Sequence, residues 1–493
     1  MTQNATLFQF FHWYTSNDGQ WWNHCASQAE ILAARGITHV YLPPAYKSAL
    51  GNKEPGYAVY DIFDLGEFDQ KNTVRTKYGT KEEYLKCIEA FHQNKIAVIA
   101  DIVLNHKHGA DEKETFTALL VHPENRNEII SDPETIEGYT KFNFPGRNGQ
   151  YSNFEWNSTT FTGIDSEIDG KTVIYSILNE YGGKWDDVME EEFGNYDFLM
   201  GADIEFRNDR VREELMKWGK WYVETTGVDG FRMDAVKHMS PDFVKTWLQY
   251  LRKEFNTNFF AVSEYWKCDL NALIKYLQVV ENATQLFDVP LHFNFHEASL
   301  KKSEYDLRRI FDGSLVQVKP EQSVTFVENH DTQPLQSLES TVDYWFKPLA
   351  YALILLREQG TPMAFYPCLN GADYKDEKEG IEIKISLAKV AELDQLLMVR
   401  KELAYGNQID YFDHPNVIGW VRQGLEERPN AGCAVIMSNG ADGYKEMDMG
   451  QHNANKNFHD VTGHFSGSLI TDENGIAMFL VKGNSVSVWI ISN

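Results

Sequence analysis

A (β/α)8 barrel carrying one inserted domain and a β-rich tail is the architecture that this chain of 493 residues predicts. Three observations lead there. Short apolar runs alternate with amphipathic stretches through most of the chain, the rhythm of a parallel barrel. That rhythm breaks once, between residues 105 and 207, in a segment rich in Gly, Asn, Asp and aromatics. From about residue 400 onward helical spacing gives way to β-like runs separated by Gly, Asn and Asp. The expected division is 1–104 and 208–399 for the barrel, 105–207 for an irregular β-rich insert, and 400–493 for an antiparallel β-sandwich.

The barrel strands are expected at LFQFF (7–11), THVYLP (38–43), IAVIADIV (96–103), GFRMDA (230–235), NFFAVSE (258–264), LFDVPLHF (286–293), SVTFVEN (323–329) and TPMAFY (361–366). Between them, QAEILAARG (28–36) ends in a Gly suited to the position just past a helix. EEYLKCIEAFHQN (82–94) and VREELMKWGKWYVETTG (211–227) place apolar residues at helical spacing. SPDFVKTWLQYLRKEF (240–255) opens with a Ser cap and a Pro in the first turn. The insert, as in FNFPGRNGQYSNFEW, is too long for a structureless loop and should fold as a unit after strand 3. In the tail, VIGWVRQG, AGCAVIMSN, GIAMFLVKG and SVSVWII are the strand candidates.

Composition narrows the function. The chain is 43% hydrophobic and 24% charged, a globular balance, with a formal net charge of -26. That charge argues against nucleic acid and anionic membrane as partners. Aromatics reach 13%, enough to supply platforms for flat ligands beyond the needs of a core. The five cysteines are scattered without a CxxC pair, so neither a disulfide framework nor a thiolate metal site is expected. The first residues, MTQNATLFQFFHWY, lack a basic and apolar leader pattern, and no apolar run is long enough to span a bilayer. A cytoplasmic monomer is the expectation.

The chemistry gathers at strand ends. A barrel brings side chains from the C-terminal ends of its strands onto one face. Strand 3 ends DIVLNH, with Asp101, Asn105 and His106; strand 4 ends FRMDAVKH, with Arg232, Asp234 and His238. Strand 5 ends in Glu264 of SEYW, and strand 7 in VENHD, with His330 and Asp331. Arg232 and Asp234, two residues apart, lie on one strand face. One such carboxylate is readily a cap or an ion pair. Three, from strands 4, 5 and 7, with two histidines and an arginine alongside, indicate acid–base work.

FRMDAVKH, SEYW, VENHD and DIVLNH together resemble the four sequence regions of the α-amylase family, glycoside hydrolase family 13. FFHWYTSNDGQWW, GITHVYLPPAYK, GYAVYDIFDLGEFDQKNTVRTKYGT and EFGNYDFLMGADIE are similar to the bacterial liquefying members, so the likeness runs along nearly the whole chain. The resemblance implies retaining, endo-acting hydrolysis of α-1,4-glucosidic bonds in starch, glycogen or maltodextrins. Asp234 would be the nucleophile with Arg232 keeping it ionised. Glu264 would be the acid/base, with Tyr265 and Trp266 lowering the polarity around it. Asp331 would stabilise the transition state. His106 and His330 would bind sugar hydroxyls at the cleavage subsite, His238 and Lys237 the next sugar, and Tyr57 would stack beneath the cleaved glucose.

The resemblance also implies calcium, held by Asn105, Asp197, Asp203 and the backbone carbonyl of His238, with Asp186 in a neighbouring site. Calcium takes six to eight hard oxygens, and WDDVMEEEFGNYDFLMGADIE (185–205) is dense in them. Two departures stand out. Phe161-Thr162-Gly163 and Asp203-Ile204-Glu205-Phe206-Arg207 each lack a carboxylate found in liquefying relatives, and the second replaces it with a cation. Pro415-Asn416 stands where a further calcium would need His-Asp. One calcium is therefore expected. The competing readings are an exo-acting α-glucosidase or transglycosylase of the same family, and a glucan-binding protein without catalysis, which would be expected to lack one of the three acids.

Overall fold

The computed structural model describes residues 4–168, 170–428 and 430–492. Eight parallel strands close into a barrel: β1 Leu7–Gln9, β2 His39–Leu42, β3 Ala97–Ile102, β4 Gly230–Met233, β5 Phe260–Ser263, β6 Gln285–Phe287, β7 Ser323–Phe326 and β8 Thr361–Phe365. Each pairs with its neighbours in chain order, and β8 returns to β1 through Leu7–Met363 to Gln9–Phe365. The strands are short and almost entirely buried, so they read as apolar runs without alternation.

The helices follow local rules. α1, Trp21–Ala34, begins well before the amphipathic stretch at 28. Its first turns bury Trp21, Trp22 and Cys25, aromatic residues that the sequence offers equally to a loop. α2, Lys81–Gln93, starts on a complete capping box, with Thr80 accepting from Glu83 N–H and the Glu83 carboxylate accepting from Thr80 N–H. α3, Asp209–Thr226, ends at Gly227, whose φ of 70° supplies the left-handed residue that turns the chain into β4. There Gly230 admits a close approach: a Cβ would lie 2.3 Å from the Phe260 carbonyl oxygen. α4, Pro241–Phe255, is capped by Ser240.

One strand expectation is corrected. Of LFDVPLHF, only Leu286 and Phe287 belong to β6, and the remainder opens the helix Val289–Lys301. Asp288 caps that helix by accepting from Leu291 N–H, and Pro290 occupies its first turn, where the missing N–H has no intrahelical partner to lose. A hairpin, Ala372–Lys378 with Ile381–Leu387, also lies between the short helix Tyr366–Asn370 that follows β8 and the helix Leu393–Glu402, where none was expected. Glu379 and Gly380, both at positive φ, form its tight turn.

The insert after β3 is more regular than its composition suggests. Glu112–His122 pairs antiparallel with Glu134–Lys141, and Phe161–Ile168 with Lys171–Ile177. Ala202–Ile204 closes this sheet onto His106–Lys107 at the barrel rim. The first half of Glu112–His122 is exposed or half-buried on both faces, which removes the alternation that marks a strand there. In the tail a six-stranded antiparallel sheet packs with a ribbon of Gly443–Asp448 and Ile476–Val481 around Val421, Ile436, Met447, Phe479 and Trp489. At the barrel junction the Asn416 amide donates to the Ser303 carbonyl at 2.7 Å and to Asn439 Oδ1 at 2.9 Å. No helix among the described residues is long and apolar enough to cross a membrane.

Candidate active site

Arg232 organises the C-terminal mouth of the barrel. It is 1% exposed on β4, and its Nη1 donates to Asp101 Oδ1 at 2.9 Å and to Asp234 Oδ1 at 2.6 Å. Its Nη2 donates to Glu264 Oε2 at 2.8 Å. One planar guanidinium therefore bridges acids from β3, β4 and β5, a geometry that a lysine's point charge does not reproduce.

Backbone contacts fix the acids further. Asp234 N–H donates to the Ile102 carbonyl and Glu264 N–H to the Met233 carbonyl, both at 3.0 Å. The next residue, Ala235, has φ 49°, rare for a residue with a Cβ, and its N–H donates to Glu264 Oε2 at 3.1 Å. Such strain persists where the surroundings impose it. Here it aims a backbone dipole at the Glu264 carboxylate. Tyr265 and Trp266, expected to line this acid, are engaged elsewhere. Tyr265 packs on Tyr276 and donates to Glu190, while Trp266 packs on His292, Phe293 and Phe326. Among the described residues, the groups that hydrogen-bond the Glu264 carboxylate are Arg232 and Ala235.

Arg232 is shared among Asp101, Asp234 and Glu264, so its charge is divided among three acids. Burial pushes the Asp234 carboxyl well above the usual range, Arg232 pulls it back, and Glu264, Asp101 and Asp331 push it up again. Burial and Glu264 raise Asp331 to about 8. Burial raises Asp101 as well. Burial and mutual repulsion thus raise Asp101, Asp234 and Asp331, and Arg232 is the cation that opposes the rise.

That rise has a measurable consequence. A carboxyl raised from 3.8 to about 8 favours folding with its proton bound, so its stabilising contribution is complete below pH 3.8 and is lost as pH rises towards 8. Asp331→Asn is expected to melt near the wild-type temperature at pH 4 and a few degrees above it at pH 8. Thermal scans across that range check this, and an equal difference at both ends would rule it out.

Aromatic rings form the floor. Tyr57 OH donates to Asp101 Oδ2 at 2.6 Å, and Tyr41 OH donates to the same oxygen at 2.8 Å. The Tyr57 ring lies nearly parallel to Trp13 at 5.5 Å and to His330 at 5.1 Å. His330 accepts from Gln9 Nε2 at its Nδ1, which places the ring proton on Nε2. That Nε2 is buried without a hydrogen-bond partner among the described residues and lies 3.3 Å from Asp331 Oδ2. Burial and Arg232 keep the ring neutral.

His106 reaches the site indirectly, since its Nε2–H donates to the Tyr57 carbonyl at 2.9 Å. His238 donates from Nδ1 to the Tyr196 carbonyl of the insert at 2.7 Å. Burial lowers both rings to about 3. Lys237 is no solvated surface charge. It lies over the Tyr196 ring at 4.7 Å and 3.8 Å from Glu192 Oε2.

The expected metal ligands gather at the junction of insert and barrel. Asn105 Nδ2 donates to Asp203 Oδ1 at 3.2 Å, and the Thr162 hydroxyl donates to Asp203 Oδ2. Asp186 N–H donates to Asp197 Oδ2 at 2.9 Å, and Phe206 N–H to Asp186 Oδ2 at 2.7 Å. Burial and mutual repulsion push Asp186 to about 8, and burial pushes Asp197 to about 7. Among the described residues no three acid, histidine or cysteine side chains form a closed cage. Two buried acceptors, Asn105 Oδ1 and Asp197 Oδ1, nevertheless lack any donor. Hard oxygens without donors beside crowded carboxylates suit a hard cation.

Trp13, Tyr41 and Gln9 were not singled out by sequence reasoning. Their signal was the rule already applied to strands 3, 4, 5 and 7, because Gln9 and Tyr41 lie on β1 and β2 and Trp13 follows β1.

The model of the α-amylase catalytic domain matches residues 16–368, and that of the α-amylase C-terminal domain matches 433–490. A protein named cytoplasmic α-amylase from Escherichia coli (strain K12) is 47% identical over 99% of both chains. An α-amylase of Bacillus licheniformis is 44% identical over 99% of this chain and 93% of its own. A glucan 1,4-α-maltohexaosidase of Bacillus sp. (strain 707) is 45% identical over 99% of this chain and 92% of its own. Among solved structures, the acarbose complex of the Geobacillus thermoleovorans α-amylase shares the fold at TM-score 0.64 and 17% identity, covering 100% of this chain and 98% of that one. With the catalytic-domain model spanning the insert and barrel strands β2 to β8, and whole-length identity of this degree, the chain belongs to the α-amylase family.

Proposed function

We propose that the chain cleaves internal α-1,4-glucosidic bonds of starch, glycogen or maltodextrins with retention of anomeric configuration. The observation that carries this reading is the single guanidinium bridging Asp234 and Glu264. Two carboxyls on one fork favour the short separation of retaining enzymes, about 5–5.5 Å, over the wider gap that admits a water in inverting ones.

Asp234 attacks the anomeric carbon while Glu264 protonates the departing glycosidic oxygen. Positive charge developing on the sugar is met by Asp331, and the glycosyl ester on Asp234 is then hydrolysed by a water that Glu264 deprotonates. His330, with its free Nε2–H, donates to a sugar hydroxyl at the cleavage subsite, and Tyr57 stacks beneath the ring. His106 acts at the same subsite by holding the Tyr57 backbone. Lys237 and His238 bind the next sugar. The division into barrel, insert and sandwich is retained, with the cleft between insert and barrel.

The α-amylase family is generally calcium-dependent. Asn105, Asp197, Asp203 and the His238 carbonyl would hold calcium, with Asp186 beside them, tying the insert to the barrel. A cytoplasmic location is supported by the name of the Escherichia coli relative and by five cysteines that are all free. Action as a monomer completes the proposal.

Maltoheptaose blocked at its non-reducing end tests the endo reading. Blocked short products, released first as the α-anomer by NMR, are expected. No cleavage of the blocked substrate, with rapid cleavage of the free one, would identify an exo-acting α-glucosidase.

A further inference from the structure

The acidic junction contains one built-in cation. Asp186, Asp197, Asp203 and Glu205 are each at most 1% exposed. Arg207 enters this group from one side. Its Nε and Nη2 donate to the two Glu205 carboxylate oxygens, both at 2.6 Å, and Nε lies 3.2 Å from Asp186 Oδ1. Nη2 also donates to the Lys184 carbonyl at 2.6 Å and Nη1 to the Trp185 carbonyl at 3.3 Å. Tyr181 covers the guanidinium at 5.2 Å.

These partners are five oxygens of the hard kind a divalent cation collects, close to the six to eight that calcium needs. The guanidinium takes them instead. On the opposite side, Asn105 Oδ1 and Asp197 Oδ1 are buried acceptors with no donor among the described residues, and Asp203 lies between the residues that carry them in the hydrogen-bond network. Arg126 is the other nearby cation. Its Nη1 donates to the Phe198 carbonyl, and Phe193, Tyr196 and Phe198 surround it, so it acts on the acids only at longer range.

We propose that Arg207 is a tethered cation occupying the Asp186–Glu205 half of this cluster, which limits the chain to one divalent cation, held on the Asn105–Asp197–Asp203 half. This deepens the calcium part of the proposed function and is independent of the hydrolytic part. It implies that one half of the junction is cross-linked without metal, because the guanidinium cannot dissociate.

The test is calcium content. The full-length protein is equilibrated with calcium chloride, desalted and measured by elemental mass spectrometry, with chelator-treated protein as the blank. One calcium per chain is expected for the wild type and two for Arg207→Asp, whose new carboxylate joins the released oxygens. Arg207→Lys, which keeps the charge without the fork, is expected to bind one. Circular dichroism establishes folding of each variant. Two or more calciums in the wild type, or one in a folded Arg207→Asp protein, would overturn the proposal. If Arg207→Asp does not fold, Arg207→Gln, which removes the charge and leaves the five oxygens free, replaces it and is expected to bind two; one in a folded Arg207→Gln protein overturns the proposal. A wild type that binds none refutes the calcium site itself and leaves the hydrolytic reading standing.

Discussion

Asp234→Asn will abolish cleavage of both amylose and α-maltosyl fluoride, whereas Glu264→Gln will abolish cleavage of amylose but still release about one fluoride per chain before stalling at the glycosyl ester. The difference follows from what each carboxyl does to the leaving group. Amylose departs as a sugar alkoxide, which needs a proton as the bond breaks, so loss of the acid costs about 10²–10⁴-fold. Fluoride leaves without that proton, and the first step then proceeds on Asp234 alone. Loss of the nucleophile removes the covalent route for every leaving group, with an expected fall of about 10⁴-fold or more in kcat. Both substitutions preserve side-chain volume, and both residues retain an oxygen able to accept from Arg232. The first-turnover burst of fluoride, set against the rate on amylose, checks the assignment. Recovery of Asp234→Asn on the fluoride, with Glu264→Gln inactive on it, would exchange the two roles.

The placement of these acids was legible because barrel strands are short buried runs, and the first polar residues after them fall on one face. Asp234, Glu264 and Asp331 could be read from that rule alone. Their partners could not. The Arg232–Asp101 contact joins residues 131 apart in sequence, and the stack of Trp13, Tyr57 and His330 draws on three separate loops. The spacing of Arg232 and Asp234 gave their common face but not the division of one guanidinium among three acids. In the fold, LFDVPLHF misled because Asp288 and Pro290 are helix-start residues lying inside an apolar run. The strands of the insert were hidden because two-sided exposure leaves no periodicity. The metal cluster was legible as composition, whereas its two donorless oxygens appear only in three dimensions.

Arg232→Met will destabilise the protein by about 3–5 kcal/mol at neutral pH, the usual cost of leaving buried charges without their partner, and the loss will grow with pH. Methionine fills similar space, so packing changes little while Asp101, Asp234 and Glu264 lose their shared cation. Without it the buried acids bind protons more tightly in the folded state, since Arg232 is the group that lowers Asp101, Asp234 and Asp331 against the effect of burial. A folded state that retains more protons than the unfolded chain loses stability as pH rises. The deficit against wild type should therefore be smaller at pH 5 than at pH 8 in paired denaturant titrations. Arg232→Lys should recover part of the stability, because the charge returns, but little of the activity. An ammonium cannot span Asp234 and Glu264 with the planar pair of nitrogens that holds them now. Equal deficits at both pH values would reduce Arg232 to a packing element, and full activity in the lysine variant would show that the bridge between the two acids is dispensable.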